Sequence, residues 1–235
     1  MSKEASSGRR RAGDAWIIIP AYNEERVIGS VLSDAALTGH RIVVVDDGST
    51  DATADVAAQT AHVVIRHPVN LGQGAALQTG ITFALLQDAE FIVTFDADGQ
   101  HRAADVARLI DALVAERADY ALGSRALGAA VDMPRSRRLL LWAATAFTRL
   151  TTGLNVTDAH NGLRALTRRG AARLNLRQNR MAHASEILEQ IANSGLKYVE
   201  VPVTVEYSSY SVSKGQRSSD AVDILLDLWL RRLQP

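Results

Sequence analysis

Five short runs of β-branched and aliphatic residues, each followed by a segment of helical spacing, constrain this chain more than anything else in it. Residues 15–19, Ala-Trp-Ile-Ile-Ile, form an apolar run closed by Pro20. Residues 24–37 place Val27, Ile28, Val31 and Leu32 at helical spacing. Residues 41–45 give the continuous apolar pattern of a strand buried on both faces. The same reading predicts a helix over 51–60, a strand over 61–66, a helix over 72–87, a strand over 90–95, a helix over 102–117 and a fifth strand over 119–123. Alternation at this spacing predicts a parallel, doubly wound α/β sheet with right-handed crossovers. The second half is less regular. Helices are expected at 135–150, 168–174 and 184–194, and strands at 162–166 and 197–207. A Ser/Gly/Tyr-rich loop follows over 207–219, and a terminal amphipathic helix over 220–233.

With 235 residues, 47% of them hydrophobic, the chain suits one packed domain over 14–235. Residues 1–13 are polar and Arg-rich, with nothing to bury, and read as a disordered leader rather than a signal peptide. The absence of cysteine excludes disulfides, thiolate nucleophiles and cysteine-rich zinc sites, and fits a reducing cytoplasm. Net formal charge is zero, which gives no reason to expect a nucleic-acid partner. The charge is unevenly spread, however. Between Arg125 and Arg180 stand eleven arginines against Asp132 and Asp158, while most carboxylates precede residue 124. An acidic half facing a basic half suits a ligand that combines a metal ion with phosphates, although a solvated basic surface gives the same pattern.

In an open parallel sheet, ligands bind beyond the carboxyl ends of the strands, and the polar clusters fall there. The first strand runs into Pro20-Ala21-Tyr22-Asn23-Glu24-Glu25, the second into Asp46-Asp47-Gly48-Ser49-Thr50-Asp51, the fourth into Asp96-Ala97-Asp98-Gly99-Gln100-His101, and the fifth into Gly123-Ser124-Arg125. Asp96 and Asp98, two residues apart on an extended segment, would point the same way and share one ion, with Gln100 continuing the phase. Such hard oxygen ligands suit Mg²⁺ or Mn²⁺. The same residues are also ordinary turn formers. Asp47 can accept from a base N–H or a ribose hydroxyl, while Ser49, Thr50 or Asp51 can cap the following helix. Gly72 and Gly74 bring backbone N–H groups to a helix start, which favours an anion or simply makes a turn.

Taken together, 20–25, 43–51, 70–80, 94–101 and 123–125 occur in the order and spacing of glycosyltransferase family 2. The chain resembles that family over roughly 16–216. Within it, the chain looks most like the dolichyl-phosphate or polyprenyl-phosphate sugar synthases, on residues 95–101, 158–164 and 210–216. The resemblance implies a GT-A fold, a Rossmann-like, mostly parallel sheet flanked by helices. It implies an inverting transfer from a UDP-, GDP- or dTDP-linked sugar to a lipid phosphate, or alternatively to a sugar or protein acceptor. Pro20, Tyr22, Glu24 and Asp47 would line the nucleoside site, with Gly72 and Asp96 beside it. Asp96, Asp98 and Gln100 would hold the metal and diphosphate. Arg125 and Lys214 would meet the leaving charge, with Ser213 and Lys214 on a late loop closing over the donor. Arg137, Arg138, Asn161 and Arg164 would serve the acceptor, a structural ion pair being the plain alternative for Arg164. Glu186 is the candidate base, needed for an alcohol acceptor but not for a phosphate, and a solvated helix charge is its plain alternative. His101 reads as a helix N-terminal residue rather than a ligand, and His160 and His183 are candidates for the acceptor side, with core or surface roles as the plain alternative.

Many members of the synthase group carry C-terminal transmembrane helices, and no run here approaches the roughly 18 apolar residues required. Residues 220–233 present Val222, Leu225, Leu226, Trp229 and Leu233 on one side. That face packs on the domain, lies in a membrane interface or docks on a membrane-protein partner. The expected location is cytoplasmic, peripheral on the inner face of the membrane.

Overall fold

The computed structural model describes residues 15–178 and 182–207. The late loop with Ser213 and Lys214, the terminal segment 220–233 and the leader lie outside the described residues. Seven strands form one sheet: β1 (Ala15–Ala21), β2 (Arg41–Asp46), β3 (Val63–Arg66), β4 (Phe91–Thr94), β5 (Tyr120–Val131), β6 (Arg164–Thr167) and β7 (Tyr198–Glu206). Their spatial order is β3-β2-β1-β4-β6-β5-β7. β1 pairs parallel with β2 and β4, and β2 with β3. β6 runs antiparallel to both neighbours, whereas β5 and β7 are parallel. The sheet is therefore mostly parallel, with one inverted strand that periodicity alone could not orient. β2 lies on one side of β1 and β4 on the other, so the chain reverses its direction of travel there. The crevice beyond the carboxyl ends of β1 and β4 is the topological switch point where such sheets take ligands.

The helices are α1 (Ile28–Ala36), α2 (Thr53–Ala57), α3 (Gln73–Leu86), α4 (Ala104–Ala115), α5 (Arg135–Thr152), α6 (Arg168–Ala171) and α7 (Ala182–Ser194). Alternation along β1 divides the core between the two sheet faces. Ile17 and Ile19 pack with Ile28, Leu32 and Leu109, and Trp16 and Ile18 pack with Leu77, Ile81 and Ile187. Both faces are covered, so the strand reads as an unbroken apolar run. α3 lies close on β1: a Cβ built on Gly80 would stand 2.3 Å from Ile18 Cγ2. Truncating fully buried Ile18 to alanine would cost about 2–5 kcal/mol, because the closely packed helix cannot collapse into the space.

Several sequence expectations need correction. β1 does not stop before Pro20: Pro20 and Ala21 pair with Val45 and Asp46. α1 starts at Ile28 rather than at residue 24, because Glu24 O accepts from both Val27 and Ile28 N–H in a turn and Asn23 takes φ +53°. The fifth strand does not end at residue 123: β5 continues to Val131 and pairs with β7 across an irregularity between Ser124 and Ala129. α5 extends to Thr152 and closes on Gly153 at φ +73°. Asp51, rather than Ser49, meets the start of α2, its Oδ1 accepting from Thr53 N–H at 3.0 Å.

Candidate active site

A cavity of about 440 Å³ opens at the switch point. Its wall gathers Pro20, Tyr22 and Glu24 from beyond β1, Asp47 from beyond β2, Gly72 from the entry to α3, and Asp96, Asp98 and Gln100 from beyond β4. The same lining holds Arg125, Arg137, His160, Arg164 and His183. The carboxylates of the first half and the arginines of the second thus meet in one cavity. This juxtaposition fits the uneven charge along the sequence.

Two loops of this rim are stapled together before any ligand arrives. Asn23 N–H donates to Ser49 Oγ at 2.9 Å, and Thr50 N–H donates back to Asn23 Oδ1 at 2.9 Å. Asp47 is buried and held by three donors. Oδ1 accepts from His67 Nδ1 at 2.7 Å and from Leu71 N–H at 2.9 Å, and Oδ2 accepts from Gly72 N–H at 2.7 Å. A carboxylate has about four acceptor positions, so Asp47 keeps one for an outside donor. The Gly72 N–H is consequently spent on Asp47 rather than on an anion. At φ +94° this position suits glycine.

Asp96 is clamped on both oxygens. Gln73 Nε2 donates to Oδ1 at 3.0 Å, and His101 Nε2 lies 3.1 Å from Oδ2. Gly162 lets the carboxylate sit there, since a Cβ at that residue would fall 1.9 Å from Asp96 Oδ2. Burial alone would raise the Asp96 carboxyl. The hydrogen bond with His101, with the charges of His101, Arg164 and His183, outweighs burial and holds the group below the usual range. Asp98 goes the other way, pushed up to about 6 by burial first and then by the negative charge of Asp96. The segment carrying the pair is a turn, not the extended run expected, and Gln100 N–H donates to Asp98 Oδ1 at 3.0 Å. Two carboxylates that repel one another across a cavity wall, with an amide beside them, fit a hard divalent cation. Among the described residues no group of three or more His, Asp or Glu is assembled for a metal. An ion here would therefore be held by few protein ligands and completed by water or phosphate oxygens, the habit of Mg²⁺ and similar ions at nucleotide sites.

On the basic wall, Arg125 is fixed from three directions. Nε donates to Asp158 Oδ2 at 2.6 Å, Nη1 to the Tyr207 hydroxyl at 2.6 Å and Nη2 to His160 O at 2.8 Å. Burial opposes both charges of the Arg125–Asp158 pair, and their mutual attraction overcomes it, raising the arginine and lowering the aspartate. The Arg137 guanidinium stacks 5.3 Å from the centre of the Tyr207 ring. Arg164 is different. It is 3% exposed and lines the cavity, yet its guanidinium has no hydrogen bond or close ion pair among the described residues. Burial lowers its pKa, and the carboxylates of Asp96 and Asp158 work against that. His160 is pushed down to about 4 by burial, with the charges of Arg164 and Arg125 acting the same way. It stands neutral in the wall, its Nδ1 without a partner among the described residues.

Three sequence candidates are placed elsewhere, and a fourth lies outside the described residues. The Glu186 carboxylate accepts from the backbone N–H of Arg177 at 3.0 and 3.1 Å and of Gln178 at 2.9 Å, and from Gln190 Nε2 at 3.2 Å, off the cavity wall. Asn161 is buried, its Oδ1 accepting from Leu163 N–H at 3.0 Å, so it shapes the turn before β6. Arg138 lines a separate groove beside α5, and Lys214 lies outside the described residues. Sequence reasoning gave no role to Gln73, His101, Asp158 or Tyr207, which hold Asp96 and Arg125. Position along the chain does not show these pairings. His160 and His183, the acceptor-side candidates of the sequence, both line the cavity.

The sequence profile of Glycosyl transferase family 2 matches residues 16–174. The chain is 33% identical over 224 residues to the UDP-N-acetylglucosamine–dolichyl-phosphate N-acetylglucosaminyltransferase of Methanococcus voltae, covering 85% of this chain and 88% of that one. It is 32% identical over 200 residues to the undecaprenyl-phosphate mannosyltransferase of Micrococcus luteus, covering 80% and 81%. Glucosyl-3-phosphoglycerate synthase from Mycobacterium tuberculosis, solved with Mn²⁺, UDP and glucosyl-3-phosphoglycerate, superposes with a TM-score of 0.68 at 20% identity, covering 93% of this chain and 80% of that one. That likeness supports the GT-A fold. With the sheet, the switch-point cavity and the matching profile in agreement, the chain belongs to glycosyl transferase family 2.

Proposed function

We propose that the protein transfers a sugar from a nucleoside diphosphate donor to a polyprenyl-type lipid phosphate, with inversion at the anomeric carbon. The observation that carries this reading is Arg164, its guanidinium buried in the cavity wall without a hydrogen bond among the described residues, in the same cavity as the paired carboxylates of Asp96 and Asp98. A buried guanidinium with spare donors calls for an anion. The relatives that act on dolichyl and undecaprenyl phosphates support the choice of acceptor. Asp96, Asp98 and Gln100 would hold Mg²⁺ or Mn²⁺, which when bound neutralises charge on the departing diphosphate. Asp47 meets the nucleoside, and Pro20 and Tyr22 line its pocket.

The acceptor oxygen attacks the anomeric carbon on the face opposite the diphosphate. The new C–O bond forms as the bond to the diphosphate oxygen breaks, and the electron pair leaves with the nucleotide. A phosphate monoester is already an anion, so no proton needs to be removed. His160, with a pKa near 4, is a weak proton acceptor, and Glu186 is committed to the backbone of 177–178. Arg164 binds and orients the acceptor phosphate, while Arg125 braces the wall through Asp158 and Tyr207. Lys214 would add positive charge over the leaving diphosphate.

The test is a donor screen. UDP-, GDP- and dTDP-sugars are offered with a short-chain polyprenyl phosphate, with and without Mn²⁺ or Mg²⁺, and the anomeric configuration of the product is read by NMR. Metal-dependent transfer with inversion is expected, as is retained turnover in Glu186→Gln. Transfer to a free sugar or a peptide but not to the lipid phosphate would overturn the acceptor assignment. Turnover abolished by Glu186→Gln at unchanged stability would do the same.

A further inference from the structure

We propose that α5 and the end of β5 form a surface that docks on an anionic lipid bilayer and brings the catalytic cavity to it. α5 is built inside out. Its inward residues are Thr145 and Thr148, whereas Leu139, Trp142 and Leu150 stand 68%, 69% and 82% exposed. Arg135, Arg138, Ala146 and Arg149 share the outward side. Amphipathic helices on a soluble domain turn their apolar stripe to the core; this one leaves Leu139, Trp142 and Leu150 in solvent while Leu140, Leu141 and Phe147 are only half-buried. The end of β5 continues the surface, with Leu127 51% and Val131 41% exposed. Between helix and strand runs a groove of about 920 Å³ lined by Ala130, Met133, Leu141, Trp142 and Leu150. Its inner end is Arg125, which also lines the catalytic cavity.

The charges name the occupant. Residues 133–157 hold four arginines and no aspartate or glutamate; of the two flanking acids, Asp132 is exposed and Asp158, in the groove lining, is buried and paired with Arg125. Exposed leucines and a tryptophan flanked by arginines match the two layers of an anionic bilayer surface: apolar side chains enter the acyl boundary while guanidinium groups meet headgroup phosphates. The groove's continuity with the cavity gives the placement a purpose. A lipid-linked phosphate lies at the bilayer surface, and α5 is the element beside the mouth that would receive it. The docking itself needs neither donor nor acceptor, so it stands or falls separately from the transfer reaction.

The experiment uses the full chain and vesicles of phosphatidylcholine, with or without phosphatidylglycerol, lacking any polyprenyl phosphate and any nucleotide. Binding is read by co-sedimentation. Wild type should partition at least about tenfold more strongly onto the anionic vesicles, and high salt should weaken this as screening shortens. The triple variant Leu139→Ser/Trp142→Ser/Leu150→Ser should lose about tenfold or more of the binding, because its apolar insertion is gone. Its melting temperature and nucleotide affinity should match wild type, since those side chains already face solvent. Leu226→Ser/Trp229→Ser, in the terminal segment, should keep wild-type binding. Three outcomes would overturn the proposal: no vesicle binding by wild type, full binding by the triple variant, or loss of binding only in the terminal-segment variant. A dimer in solution that the triple variant dissolves would also overturn it, since a second copy would then cover the face.

Discussion

Replacing Gly162 by alanine tests the site at its tightest point. The added Cβ would lie 1.9 Å from Asp96 Oδ2, 2.4 Å from Cγ and 2.6 Å from Oδ1. Separations under 3.0 Å are essentially never observed for a Cβ, so the carboxylate must retreat from 1.9 Å to at least 3.0 Å. It cannot do so freely, because Gln73 and His101 hold its two oxygens. The backbone gives no other reason for failure: Gly162 does not adopt a positive φ, and the group that moves is the end of a side chain rather than a packed strand. Displacing a reacting group by roughly 1 Å costs about 100-fold in rate, equivalent to about 2.7 kcal/mol on the barrier. Steady-state transfer assays on Gly162→Ala should show that loss in kcat/KM, with weaker metal-dependent nucleotide binding by calorimetry. The melting temperature should stay within a few degrees of wild type. Gly29→Ala, whose Cβ would meet Val56 at an ordinary 3.4 Å, should behave as wild type in every assay. Full activity in Gly162→Ala would show that the position of Asp96 does not matter to the reaction. A collapse in melting temperature would show that Gly162 serves packing instead.

Removing Asp158 should leave the buried Arg125 guanidinium without its ionic partner. Asp158→Ala is expected to lose about 3–5 kcal/mol in urea unfolding, and a loss below about 1 kcal/mol would contradict the bracing role. His160 gives a pH signature. The fold keeps it neutral down to about pH 4, whereas the unfolded chain takes up its proton near 6.5. The folded pKa is the lower one, so the stability held at neutral pH erodes as pH falls from about 6.5 towards 4, by about 3 kcal/mol from this group. His160→Gln should flatten that part of the stability profile, and an unchanged slope would refute the assignment. The single acceptor position left on Asp47 matches one imide N–H better than the paired N–H donors of guanine. UDP or dTDP should therefore bind more tightly than GDP in calorimetry, and equal affinities would count against this reading.

Much of the molecule is legible in the sequence. The apolar runs at 15–19 and 41–45 could only be strands covered on both faces, and the spacing of Val106, Leu109, Ile110 and Leu113 could only be a helix laid on a sheet. The clusters after strands one, two and four fell on the cavity wall because strand ends share a rim whatever the loops do. Element boundaries were less secure. Pro20 reads as a strand stop, yet a residue without an N–H can remain in a strand where no ladder bond needs it. The run after Arg125, rich in Ala and Gly, has weak strand propensity, and its pairing with β7 is a non-local fact.

The sequence by itself determined the layered α/β plan, the acidic switch-point rim and the family, because these follow from periodicity and from residue types in a fixed order along the chain. Only the tertiary structure decided how the groups within that rim are employed. It committed Glu186 to the backbone of 177–178, spent Gly72 on Asp47, clamped Asp96 between Gln73 and His101, left the Arg164 guanidinium without a partner among the described residues, and left Leu139, Trp142 and Leu150 of α5 in solvent. Hydrogen bonds and burial are set by distances between residues far apart in the chain, and a local pattern of residue types carries no measure of those distances.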